Sequence, residues 1–250
     1  MMKVQKKKVQ GIEKTKTLIN GIPAIIWGST SWKAYLYIHG QNGFKEEAEA
    51  FAIRACSCGW QVLSIDLPGH GERKGGDNSC YPWQAVPELD SIYQFMKQRW
   101  ERISLFANSM GAWFGMLCLA EKEIENCLFV SPVLDMERLI ADMMSWAKVT
   151  EVQLEKKKRI PTSFGQTLSW EYWQYAKRNP IQTWNVSTRI LYAGKDNMIR
   201  RETIEQFAAR FHCEVTIMEN GEHWFHTEEQ LRVLYDWMEE CLRNRNEKIK

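Results

Sequence analysis

The stretch Ile103-Ser104-Leu105-Phe106-Ala107-Asn108-Ser109-Met110-Gly111-Ala112 constrains this chain more than any other. An apolar, strand-like run ends in a small residue, and a helix-like segment begins at once. A sharp strand-turn-helix corner joins two such elements, and it lifts the hydroxyl of Ser109 to the end of a sheet. The corner is so tight that the positions two before and two after the serine must be small. Ala107 and Gly111 meet that need. A helix that starts at Met110 turns free backbone N–H groups toward the same spot. Alone, small-x-Ser-x-Gly is a weak signal that an ordinary loop serine also produces. Its weight comes from what lies elsewhere in the chain.

Short apolar runs recur at residues 35–38, 62–65, 103–107, 127–130, 190–193 and 215–218. Their length and flanks suit buried parallel strands. Helical periodicity lies between them. Ala48, Phe51, Ala52 and Ala55 share one face, as do Leu89, Ile92, Tyr93 and Met96, and Ile204, Phe207, Ala208 and Phe211. A last helix presents Leu231, Leu234, Trp237, Met238 and Cys241 and opens on a capping box from Thr227 to Gln230. Upstream of all this, Asn20-Gly21 between two apolar runs signals a hairpin, so the chain opens with antiparallel strands. The expected class is α/β: a mostly parallel sheet with helices on both faces, preceded by an N-terminal hairpin.

One interval breaks the alternation. About residues 132–188 separate two strands that one helix would join, and they hold Trp146, Phe164, Trp170, Tyr172, Trp173, Tyr175 and Trp184. The expectation is a single domain over 1–250 with a mostly helical insertion there, lying over the sheet as a lid. Two extra core helices are the plainer alternative.

Composition sets outer bounds. With 250 residues and a net charge of +2 the chain suits one α/β domain and implies no nucleic-acid partner. The basic runs Lys6-Lys7-Lys8 and Lys156-Lys157-Lys158-Arg159 read as solvated faces. No apolar run is long enough for a bilayer, and the N-terminus lacks the apolar core of a signal peptide. The seven cysteines are odd in number and scattered, which suits reduced thiols in a cytoplasmic protein. No membrane partner is expected. Oligomeric state is not legible.

Four further segments fall at the carboxyl ends of expected strands, where open α/β sheets bind ligands. His39-Gly40-Gln41-Asn42-Gly43 is a Gly-rich turn that would offer the N–H of Gln41, beside that of Met110, to an oxyanion. Asp66-Leu67-Pro68-Gly69-His70-Gly71 is a rigid turn in which His70 reads as a turn-stabilising residue rather than a base. Gly194-Lys195-Asp196 puts a carboxylate past a strand end, where it would reach an imidazole or cap a helix. Asn220-Gly221-Glu222-His223 places a histidine toward the crevice, and His226 follows near the last helix. A His223–His226 metal pair would need further ligands, and none stands out. A serine hydroxyl needs a base to become a nucleophile, a histidine titrates in the useful range, and an aspartate fixes its tautomer.

On these residues the chain resembles the α/β-hydrolase superfamily, over about residues 35–237 apart from the insertion. It looks closest to small bacterial esterase-like members with a helical cap after the sixth strand. The resemblance implies Ser109 as nucleophile, Asp196 as acid and His223 as base. Asp135 is a second candidate acid, because some members carry theirs after the strand at 127–130. Ala107 replaces the glycine of the commonest motif and is small enough. The implied activity is hydrolysis of a small or medium carboxylic ester through an acyl-enzyme, without a cofactor. A thioester is the close alternative, followed by a peptide or a non-catalytic binding role. Trp146, Trp170, Trp173 and Trp224 are candidate substrate contacts, which favours an apolar or aromatic substrate group over a charged one.

Overall fold

The computed structural model describes residues 5–9, 11–75 and 80–243. The chain opens with three antiparallel strands, β1 (Gln5–Val9), β2 (Ile12–Ile19) and β3 (Ile22–Trp27). Asn20 and Gly21 both take positive φ, at 53° and 81°, so the expected Asn-Gly hairpin joins β2 to β3 in the mirror-image turn that matches strand twist. β1 was not expected. Its Lys6-Lys7-Lys8 run lacks apolar alternation, yet its backbone pairs with β2 at the sheet margin; the reading of that run as a solvated face lies outside the described side chains.

Alternation then follows: β4 (Lys33–Ile38), α1 (Glu49–Ser57), β5 (Gln61–Ile65), α2 (Pro82–Lys97), β6 (Arg102–Asn108), α3 (Met110–Leu119) and β7 (Cys127–Val130). After an intervening segment come β10 (Thr188–Ala193), α7 (Arg201–Phe211), β11 (Glu214–Met218) and α8 (Glu228–Arg243). The nine-stranded sheet has the order β1-β2-β3-β5-β4-β6-β7-β10-β11 and is parallel from β5 onward.

The buried runs serve two cores at once. Along β4, Ala34, Leu36 and Ile38 join one apolar cluster with α2 and α3, while Tyr35 and Tyr37 join the other with Phe51 of α1 and Trp237 of α8. This period of two explains why the strands read as continuous apolar runs. The cap of α8 differs by one residue from the expected box. Gln230 N–H donates to Thr227 Oγ1 at 3.3 Å, but the Gln230 side chain reaches back to His226 N–H at 3.0 Å, one position before Thr227.

Between β7 and β10 lie α4 (Met136–Trp146), α5 (Glu151–Lys157), a small antiparallel pair β8 (Arg159–Pro161) and β9 (Thr167–Ser169), and α6 (Trp170–Arg178). The pair of strands was not expected in a helical segment. They are three residues each, below the length at which alternation can be read. The second basic run ends α5, where cations complement the helix carboxyl end, and Lys156, Lys157, Lys158 and Arg159 are exposed.

Candidate active site

Ser109 stands between β6 and α3 with φ 48° and ψ −122°, a conformation that is strained for any residue with a side chain. Its surroundings enforce it. Ser109 N–H donates to the Val130 carbonyl at 3.1 Å, and the Ser109 carbonyl accepts from Val133 N–H at 2.9 Å. The neighbouring Asn108 side chain donates to Tyr37 Oη at 2.8 Å. Burial holds the Tyr37 phenol protonated and available as that acceptor. Small residues are needed for the stated reason: a Cβ on Gly111 would lie 2.6 Å from the His39 carbonyl oxygen and 2.8 Å from that of Ile38. Ala107 is fully buried.

The loops after β10 and β11 are tied together. Gly194 N–H donates to Met218 O at 2.8 Å, Lys195 N–H to Gly221 O at 2.9 Å, and a Cβ on Gly194 would meet the Glu219 backbone at 2.6 Å. This contact sets Asp196 opposite His223. Asp196 Oδ2 lies 2.6 Å from His223 Nδ1, and His223 Nε2 lies 3.0 Å from Ser109 Oγ. The other Asp196 oxygen accepts the N–H groups of Met198 and Ile199 at 2.8 and 2.9 Å. The carboxylate therefore braces its own turn and holds the imidazole; it does not cap α7, whose N-cap is Arg200. With Nδ1 donating to a carboxylate, Nε2 is left as an acceptor for the serine proton. Such a chain can raise the nucleophilicity of one hydroxyl. Asp135 is elsewhere engaged: it is the N-cap of α4, accepting from Arg138 N–H at 2.9 Å. His226 approaches Glu222 at 3.3 Å, with its ring 4.8 Å from that of Trp224. Among the described residues no three His, Cys, Asp or Glu side chains gather as metal ligands.

Two loops on the β4–β5 side complete the surroundings. His39 is fully buried and neutral: Nδ1 donates to Gly40 O at 2.8 Å and Nε2 accepts from Leu67 N–H at 3.1 Å. Burial pushes its pKa down to about 4. Burial alone would raise the Asp66 carboxyl, but bonds from Lys45 Nζ at 2.7 Å, Glu72 N–H at 3.0 Å and Lys45 N–H at 2.8 Å hold it low. The loop after β4 is thereby fastened to the loop after β5, and Gln41 is carried to the site. The N–H of Gln41 has no protein acceptor among the described residues.

A cavity of about 500 Å³ opens over Ser109. Gln41 and Met110 line it, as do Met136, Leu139, Ile140, Met143, Phe164, Leu168, Tyr172 and Met198. None of the four tryptophans singled out in the sequence is among its lining residues. Trp173 is buried in the core, Trp170 is half-buried with Lys158 Nζ 5.5 Å from its ring, Trp146 is 47% exposed against Phe164, and Trp224 is 72% exposed. Of the insertion's aromatic residues, Phe164 and Tyr172 rather than the tryptophans reach the cavity. The lining methionines were the missed residues, although Met136, Ile140 and Met143 recur at helical spacing in the sequence.

The model of the alpha/beta hydrolase family matches residues 28–237, and the chain belongs to that family. No curated protein sequence matches significantly. Among solved structures, Est1E from Butyrivibrio proteoclasticus with bound ferulic acid is similar at a TM-score of 0.73 and 15% identity, covering 91% of this chain and 97% of Est1E. A soluble variant of monoglyceride lipase from Saccharomyces cerevisiae is similar at 0.71 and 12%, covering 97% and 95%. The thioesterase domain from the curacin biosynthetic pathway is similar at 0.60 and 16%, covering 91% and 99%. At these identities the likeness is one of fold.

Proposed function

We propose that the protein is a serine hydrolase that cleaves a small or medium carboxylic ester through an acyl-enzyme. The observation that carries this reading is the hydrogen-bonded chain from Asp196 through His223 to a strained Ser109 that lines a cavity with both apolar and polar walls. Ser109 Oγ attacks the ester carbonyl while His223 Nε2 takes its proton. The N–H groups of Gln41 and Met110 receive the negative charge that develops on the carbonyl oxygen. Collapse of the tetrahedral species expels the alcohol, to which His223 returns the proton. Water, deprotonated by His223, then releases the acid and restores Ser109.

The segment between β7 and β10 acts as the cap in this reading, because α4, the β8–β9 pair and Tyr172 of α6 supply much of the cavity wall. The methionines among them accommodate varied acyl shapes. The partner is a small molecule. None of the seven cysteines forms a disulfide, which fits a reducing compartment such as the cytoplasm. Among the described residues no helix is long and apolar enough to cross a membrane.

A panel of chromogenic esters and matched thioesters of increasing acyl length tests the substrate class. Turnover that is highest on oxoesters and absent in Ser109→Ala supports the proposal. Higher turnover of thioesters would reassign the leaving group, and turnover that survives in Ser109→Ala would overturn the mechanism.

A further inference from the structure

His70 lines the same cavity as Ser109, and the chemistry above does not use it. It belongs to the loop after β5, is 2% exposed, and lines the cavity. Its ring is fixed by one bond: Nδ1 lies 2.8 Å from the Pro68 carbonyl oxygen. That oxygen only accepts, so Nδ1 carries the proton, and a neutral imidazole then has a bare lone pair on Nε2. Burial lowers the pKa of His70 and keeps the ring neutral. The His39 ring, 5.2 Å away, cannot serve as donor, since its two nitrogens are already engaged with Gly40 and Leu67. Among the described residues no protein donor reaches His70 Nε2. Nε2 is not among the side-chain atoms buried without a partner, so it opens to the cavity, where a donor on a substrate can reach it.

The strand order tells which part of a substrate would supply the donor. Ser109 ends β6, His223 follows β11 on one side of it, and His70 follows β5 on the other. His223 must hand its proton to the leaving alcohol, so the alcohol lies toward β10 and β11 and the acyl chain extends toward β5. We propose that His70 determines specificity by accepting, at Nε2, a hydrogen bond from a hydroxyl or amide N–H on the acyl group. The preferred substrate is then a hydroxyacyl or amidoacyl ester rather than a plain alkanoate. This inference rests on the hydrolase reading above.

The test compares kcat/KM for para-nitrophenyl hexanoate with that for the β-hydroxyhexanoate, ω-hydroxyhexanoate and β-acetamidopropanoate esters. At least one donor-bearing ester is expected to exceed hexanoate by about tenfold, because a substrate donor matched to a fixed acceptor is held better than an analogue that lacks it. In His70→Phe that ratio falls to about one, and in His70→Gln, which keeps a carbonyl acceptor, part of it returns. Thermal melting checks that the variants fold, and His70→Met replaces His70→Phe if the latter does not. Wild-type protein that treats all four esters alike, or a preference that survives loss of the imidazole, overturns the role of His70 while leaving the hydrolase reading intact. No turnover of any ester overturns both.

Discussion

Lys45 is 2% exposed and its ammonium meets Asp66 and Glu72, so a full charge sits inside the loop that carries the cavity wall. Replacing it with methionine leaves the buried Asp66 carboxylate without its partner. The expected cost is about 3 kcal/mol, within the range for breaking a buried pair by removing one member, and denaturant unfolding measures it. Asp66→Asn in the same background should recover part of the loss, and failure to do so would mean that the pair is not the source. His39 gives a pH dependence. An unfolded histidine takes a proton near about pH 6.5, whereas folded His39 resists until about pH 4. Its contribution is therefore full above about pH 6.5 and lost as pH falls toward about pH 4, on the order of 3 kcal/mol. Melting followed across this window should slope steeply in the wild type and less in His39→Gln. An equal slope in both would assign the effect to other groups. The sequence marked His39 and His70 only as turn residues, because the bonds that fix their tautomers run to carbonyl and amide groups of neighbouring loops.

At the scale of elements, the corner between β6 and α3 depends on contact of α3 with the end of β4. Gly111→Ala drives a Cβ into the carbonyl oxygens of Ile38 and His39, which are backbone atoms that cannot step aside. The helix must shift, and Ser109 shifts with it. The expected result is a loss of about 2 kcal/mol in stability or more, together with a fall in ester turnover larger than the stability loss explains. Ala107→Gly at the opposite flank should be mild, and an equal effect of both would argue against a helix-to-strand clash. Elements whose pattern exceeds one turn or one full alternation were legible: the six runs at residues 35–38, 62–65, 103–107, 127–130, 190–193 and 215–218 all became strands. β1 was not, since its register comes from β2 rather than from its own lysines. The β8–β9 pair was hidden by its brevity, and the reach of Gln230 to His226 by a shift of one residue.

For the whole molecule, the order Ser109, Asp196, His223 was readable because each lies at a strand end that the alternation located. What lines the cavity was not readable, since it depends on how α4, the β8–β9 pair and α6 settle over the sheet. The four tryptophans singled out in the sequence do not line the cavity, whereas Phe164 and Tyr172 do, together with several methionines. If that wall sets acyl length, Ile140→Trp should lower kcat/KM for an octanoate ester by about tenfold more than for an acetate ester. Equal losses on both would place Ile140 in a purely structural role. The central claim is that Ser109 is the nucleophile, activated through His223 and Asp196. Reaction of the full chain with a fluorophosphonate, followed by intact-mass and peptide mass spectrometry, tests it most directly. One adduct per chain is expected, located on Ser109, absent in Ser109→Ala and greatly slowed in His223→Ala. An adduct on another residue, or none on the folded wild-type protein, would contradict it.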